Sequence, residues 1–200
     1  MSEDFSSTIR DLYNSGLSLG GISLKLGCSP HKVVYWMRKL DIPRRKPSEA
    51  LYLKYNPNGD PFLIKKITTT EDAKLFGLGV GIYWGEGDKR SIHATRVANS
   101  DPELILTFIH FLTALCGVKK DKIKCNIVCF NDSNIPDVGR YWSQLLQIPK
   151  EKFGKIVQIP PQGKGKYRRK SQYGVCTASV YNTKFKQWIM QEISGFYSPR

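Results

Sequence analysis

The chain has 200 residues, 40% of them hydrophobic, and a formal net charge of +14 from 31 Lys and Arg against 17 Asp and Glu. That length and apolar content suffice for packed cores in one or two domains, and the basic excess points to a polyanionic partner, whether nucleic acid, ribosome or an anionic membrane surface. No run approaches the ~20 apolar residues that span a bilayer. With no secretory signal pattern either, the expectation is a cytoplasmic protein (or an organellar or nucleoid-associated one) with no membrane partner. Cys28, Cys116, Cys125, Cys129 and Cys176 are odd in number and form no Cys-x-x-Cys pair. This argues against a disulfide framework and a zinc site, and the thiols are expected to be reduced.

Residues 1–46 read as one small all-α unit. Ile9, Leu12 and Tyr13 form a helical face that stops at Gly16; Leu19, Ile22 and Leu26 form a second that stops at Gly27; Ser29-Pro30 opens a third as cap and first helical residue. The short turn at Gly27-Cys28 makes this a helix-turn-helix pattern, whose third helix would face base edges in a DNA major groove. Val33, Trp36, Met37 and Leu40 recur at helical spacing, so His31, Lys32, Tyr35, Arg38 and Lys39 point outward, and the first four are the candidate DNA readers. A plain three-helix bundle with solvated charges has the same pattern. The sequel Asp41-Ile42-Pro43-Arg44-Arg45-Lys46-Pro47 sets three cations on an extended, proline-bounded arm suited to tracking phosphates, which adds Arg44, Arg45 and Lys46 to the DNA-binding candidates.

Residues 47–70 read as an irregular linker, with the turn cluster Asn56-Pro57-Asn58-Gly59-Asp60-Pro61 and a short pairing segment at residues 62–64. Residues 71–200 form the second domain. Thr69, Thr70, Glu71 and Asp72 carry the hydroxyl-plus-acid signature of a helix start, and the apolar run behind them contains glycines. A glycine inside a helix costs roughly 1 kcal/mol against alanine, so Gly77, Gly81 and Gly85, at i, i+4 and i+8, require a reason. A bare stripe lets another helix approach closely. If that helix is the same one from a second copy, two Glu86 carboxylates meet near a two-fold axis. The alternative is a core helix whose glycines admit neighbouring aromatics.

Beyond this helix the chain alternates. Residues 91–98 read as a strand with His93 and Thr95 on one face and Arg96 on the other; an amphipathic helix runs from Asp101 to Leu115 and closes at Gly117. A second strand covers residues 122–130. Its Ile123, Cys125, Ile127 and Cys129 point one way, and Lys122, Lys124 and Asn126 the other, because side chains alternate across a strand. A helix over residues 136–146, a hairpin of residues 153–159 and 173–181, and a final helix over residues 183–193 complete an α+β class with a mixed or antiparallel sheet. The polar face of the second strand suits DNA and equally suits water, and His93, Arg96, Lys122 and Asn126 are the DNA-binding candidates of the two strands. The hairpin connection holds Lys164, Lys166, Arg168, Arg169 and Lys170 among glycines, which favours phosphate contact.

Gly79-Val80-Gly81-Ile82-Tyr83-Trp84-Gly85-Glu86-Gly87 resembles the signature helix of the LAGLIDADG homing endonucleases, with Glu86 at the family's acidic position and Gly87 at its final glycine. The helix and strand alternation of residues 71–194 is similar to that fold. The resemblance implies a LAGLIDADG-like sheet with packed helices and cleavage of double-stranded DNA with a divalent ion, Mg²⁺ by its preference for oxygen ligands. It implies Glu86 and the Gly85 carbonyl as metal ligands, with Lys124 and Lys155 as candidates for a charge-stabilising lysine. Only one signature helix is present, so a homodimer is expected, with Gly77, Gly81 and Gly85 at its interface and a pseudo-palindromic target. A regulator of the same fold that binds DNA without cutting it is the alternative, and an RNA maturase a third.

Overall fold

The computed structural model describes residues 2–160 and 171–195. They fall into two compact units, residues 1–61 and 62–200, and each is taken by itself.

The first unit is all helical: α1 (Ser2–Asn14), α2 (Leu19–Lys25), α3 (Pro30–Lys39) and α4 (Pro47–Tyr55). Ile9, Tyr13, Ile22, Val33 and Met37 make its buried core. Helix α3 starts as expected: Ser29 accepts from Lys32 N–H with Pro30 next in line, and Ser18 caps α2 in the same way by accepting from Gly21 N–H. Gly16 and Gly27 hold φ of +98° and +59° in the two turns, a region that favours glycine. Helix α4 corrects the linker expectation for the first part of residues 47–70: the backbone N–H of Lys46 donates to Glu49 (3.1 Å), stabilising the helix start.

In the second unit, α5 (Thr70–Glu86) begins where the hydroxyl and acids predict, with Thr69 Oγ1 accepting from Asp72 N–H (3.0 Å). Then follow β1 (Ala94–Asn99), α6 (Pro102–His110) continued by a π-turn over Phe111–Leu115, β2 (Ile123–Phe130), α7 (Ile135–Leu146), β3 (Val157–Ile159), β4 (Val175–Tyr181) and α8 (Thr183–Ser194). The four strands lie in the order β1-β4-β2-β3. Strand β4 is antiparallel to both β1 and β2, and β3 runs parallel to β2 after the α7 crossover. The expected hairpin of residues 153–159 with 173–181 is therefore wrong: β3 and β4 do not pair. Strand β4 buries Cys176, Ala178 and Val180 on one face and Ser179 on the other, a pattern that fits a central strand and leaves the three-residue β3 at the edge.

Helices α5, α6 and α8 pack against β1, and α6 against β4 as well. Ile123, Cys125, Ile127 and Cys129 all face this core, as their alternation predicts. Residues 62–65 are extended but bond to a helix end instead of a strand: Leu63 N–H donates to the Cys116 carbonyl and Lys65 N–H to that of Leu115.

Candidate nucleic-acid interface and acidic centre

Helix α5 divides cleanly into two faces. Inward, Val80 and Tyr83 are buried, and Tyr83 stacks on Phe108 with ring centroids 6.3 Å apart. Gly79 lies so close to Phe111 that an added Cβ would run into its ring. Outward, Gly77, Gly81 and Gly85 have nothing among the described residues within 4 Å of an added Cβ, and beside them Leu78 is 56% and Trp84 44% exposed. The glycine that admits an aromatic is thus Gly79. The stripe the spacing singled out is an open, apolar face.

The helix ends at a group of acids with different fates. Of its last carbonyls, that of Tyr83 takes the N–H of Gly87 (2.9 Å) and that of Trp84 takes Lys89 Nζ. The Glu86 side chain is exposed with no hydrogen bond or ion pair among the described residues. Asp88 is held by its neighbours. Its N–H donates to the Arg96 carbonyl (2.9 Å), its Oδ1 accepts from Arg90 and Ser91 N–H, and Arg96 stands 3.7 Å from Oδ2. The Arg90 N–H foremost holds this carboxyl below its ordinary range, with Ser91 N–H, Arg96 and Lys186 acting the same way. A bridge between Gly87 and Val97 ties the same turn to β1.

Beneath the turn sit two residues that the sequence did not single out, Tyr83 and Lys186, both buried. Lys186 Nζ donates to the Tyr83 hydroxyl and to the Asp88 carbonyl (2.6 Å), which also accepts from the Tyr83 hydroxyl (2.7 Å). Burial pushes Tyr83 up to about 12, with the Asp88 charge adding to it, and burial pulls Lys186 down. The signal was present: Lys186 stands within the apolar stripe Phe185, Ile189 and Ile193 of α8.

The open face of the sheet carries the row Arg96, Ser179, Lys124, in register across β1, β4 and β2. Arg96 and Lys124 both lie over the Tyr181 ring, 5.4 and 5.6 Å from its centroid. The next row is Ala98, Thr177, Asn126, with Asn126 exposed against Gly154, where no side chain fits. Lys124 is two strand spacings, about 10 Å, from the β1 edge that holds the acidic turn. Lys155 is farther: it follows Gly154, which bonds to the Cys125 carbonyl on the side of β2 away from β4. The fold brings Lys124 toward Arg96 and leaves Lys155 apart.

Other expected positions shift. Lys122 belongs to a 3₁₀ turn (Lys120–Lys122) and not to the strand. His93 precedes β1 in a bend, exposed, with Nδ1 3.1 Å from Thr183 Oγ1; it does not share a face with Thr95, which is buried. In the first unit His31, Lys32, Tyr35 and Arg38 are exposed along α3, and Arg44 and Lys46 are exposed beyond it. Arg45 is not a free cation. Its guanidinium lies 3.8 Å from the Tyr13 ring centroid and donates to the Leu17 carbonyl (3.0 Å), while its N–H donates to the Tyr13 hydroxyl (2.7 Å). Lys164, Lys166, Arg168, Arg169 and Lys170 lie outside the described residues.

Among the described residues no three His, Cys, Asp or Glu side chains group to hold a metal, and no helix is long and apolar enough to cross a membrane. The donors at the end of α5 nevertheless suit a hard cation, since Glu86 and the Gly85 carbonyl both offer oxygen atoms at exposed positions. The chain matches no protein-family model, no curated protein and no solved structure.

Proposed function

We propose that this chain is a site-specific, metal-dependent endonuclease of double-stranded DNA with a LAGLIDADG-like second unit, acting as a homodimer. One observation carries the reading: among the described residues, α5 ends on an exposed Glu86 without a partner, and the same helix turns an open stripe of Gly77, Gly81 and Gly85 outward. A second copy crossing at that stripe brings two carboxylates together, which supplies the donors that one chain lacks.

In this reading Glu86 and the Gly85 carbonyl hold Mg²⁺. The bound ion lowers the pKa of a water and offsets charge building on the phosphate. Arg96 and Lys124 seat the DNA backbone beside the acidic turn, and Tyr181 keeps both side chains in place over the sheet. Asp88, Tyr83 and Lys186 build the turn and are no ligands. In the first unit, α2 and α3 act as a helix-turn-helix with His31, Lys32, Tyr35 and Arg38 toward DNA, adding contacts to each half-site.

The commitment of Asp88 and the want of a three-ligand group among the described residues favour one second reading, a regulator that binds DNA without cutting it. Selection from randomised duplexes, with sedimentation of the selected complex, tests what the two share. A pseudo-palindrome bound by two chains is expected. A single asymmetric site bound by one chain would contradict the dimer in both.

A further inference from the structure

We infer that Lys186, together with Tyr83, is a positioning residue for the acidic end of α5: it clamps the Asp88 carbonyl and thereby sets how well Glu86 and the Gly85 carbonyl bind a cation. This rests on reading Glu86 as a metal ligand.

An ammonium that is 4% exposed is unusual, because lysine is rarely buried unless paired. Its contacts here are a phenol and a carbonyl, not a carboxylate, so the charge answers something larger than one ion pair. It stands at the C-terminal end of α5, the negative end of the helix dipole, where a cation is favoured. Two donors on one carbonyl leave Asp88 little freedom, and the Asp88 N–H is bonded to β1 at the same time. The chain from Glu86 to Asp88 is therefore pinned on both sides, to α8 and to β1. With Asp88 held, Glu86 is the acid of this turn that faces out. Outer partners of this kind typically change metal affinity by about 10- to 100-fold when removed.

Terbium ion is a suitable probe, being a hard, oxygen-loving cation whose luminescence can be excited through a nearby tryptophan, and Trp84 is two residues from Glu86. The whole chain should give a terbium signal that Glu86→Gln removes. Lys186→Met, which keeps length but not charge, should weaken terbium binding about 10- to 100-fold with unchanged circular dichroism. Should that single change unfold the chain, the pair Tyr83→Phe with Lys186→Met removes the buried cation and the phenol hydroxyl together, so that the Asp88 carbonyl alone is left without its donors. A folded double variant that still binds terbium weakly supports positioning. Wild-type affinity in a folded Lys186 variant, single or double, while Glu86→Gln remains silent, overturns the role of Lys186 and leaves Glu86 as ligand. Equal binding by Glu86→Gln and the wild type overturns both.

Discussion

Gly79 lies flat against the ring of Phe111, while Gly81, two residues on, faces open space. One helix thus uses two glycines for opposite ends, and substitution separates them. Gly79→Ala should destabilise the chain by about 1 to 3 kcal/mol, since the methyl group meets a buried ring. Gly81→Ala should stabilise a dilute chain by about 0.4 to 1 kcal/mol by stiffening the unfolded state. Urea unfolding of both variants measures this, and the opposite order of stabilities would mean that the helix faces are assigned wrongly.

The basic arm divides in the same way. Arg45→Ala removes the stacking on Tyr13 and the bond to Leu17 and should cost the first unit about 1 to 3 kcal/mol. It reads out as faster amide exchange in α1 to α3. Arg44→Ala should leave stability within about 0.5 kcal/mol and reduce the salt dependence of DNA binding by about 0.9 for each phosphate it neutralises. Equal exchange in the two variants would make Arg45 a free cation after all.

Features set by local chemistry were legible in the sequence: the Ser29-Pro30 start, the Thr69 cap and the buried face of β2 all follow from neighbours in the chain. Helix α4 was not, because it buries no residue and so shows no apolar periodicity. Strand pairing was not either, since the position of β4 between β1 and β2 depends on partners far along the chain. Arg45 looked like one cation of three because Tyr13, which holds it, is 32 residues away. Of the acidic centre, Glu86 was readable from its place after the glycine helix. The clamp was not, for the Asp88 carbonyl has no side-chain signature, although a lysine inside an apolar stripe gave part of it.

Asp88 supplies a pH dependence with a definite sign. Its folded pKa is depressed below the ordinary value of 3.8, mainly by the Arg90 N–H. Its contribution is therefore fully present above the unfolded value and is lost as pH falls through the lower, folded one. Acid unfolding of Asp88→Asn should be flatter than that of the wild type below about pH 4. Identical acid limbs would show that Asp88 is not held as the turn geometry implies.

The open face of α5 bears on assembly. Gly81→Leu should leave the second unit folded, because nothing among the described residues lies within 4 Å of the new side chain's root, yet prevent two helices from touching. Sedimentation on selected DNA should then show one chain per duplex where the wild type shows two. Persistence of the two-chain complex would place the interface elsewhere.

The central claim is that Glu86 belongs to a centre that cuts DNA. The direct measurement is incubation of the selected duplex with the whole chain, with and without Mg²⁺, and with Glu86→Gln in parallel, scoring strand ends on a denaturing gel. The account predicts breaks in both strands near the centre of the pseudo-palindrome, dependent on Mg²⁺ and absent with Glu86→Gln, while binding of that variant persists. Tight binding of the duplex by the wild type with both strands left whole in Mg²⁺, or cleavage undiminished in Glu86→Gln, would contradict it.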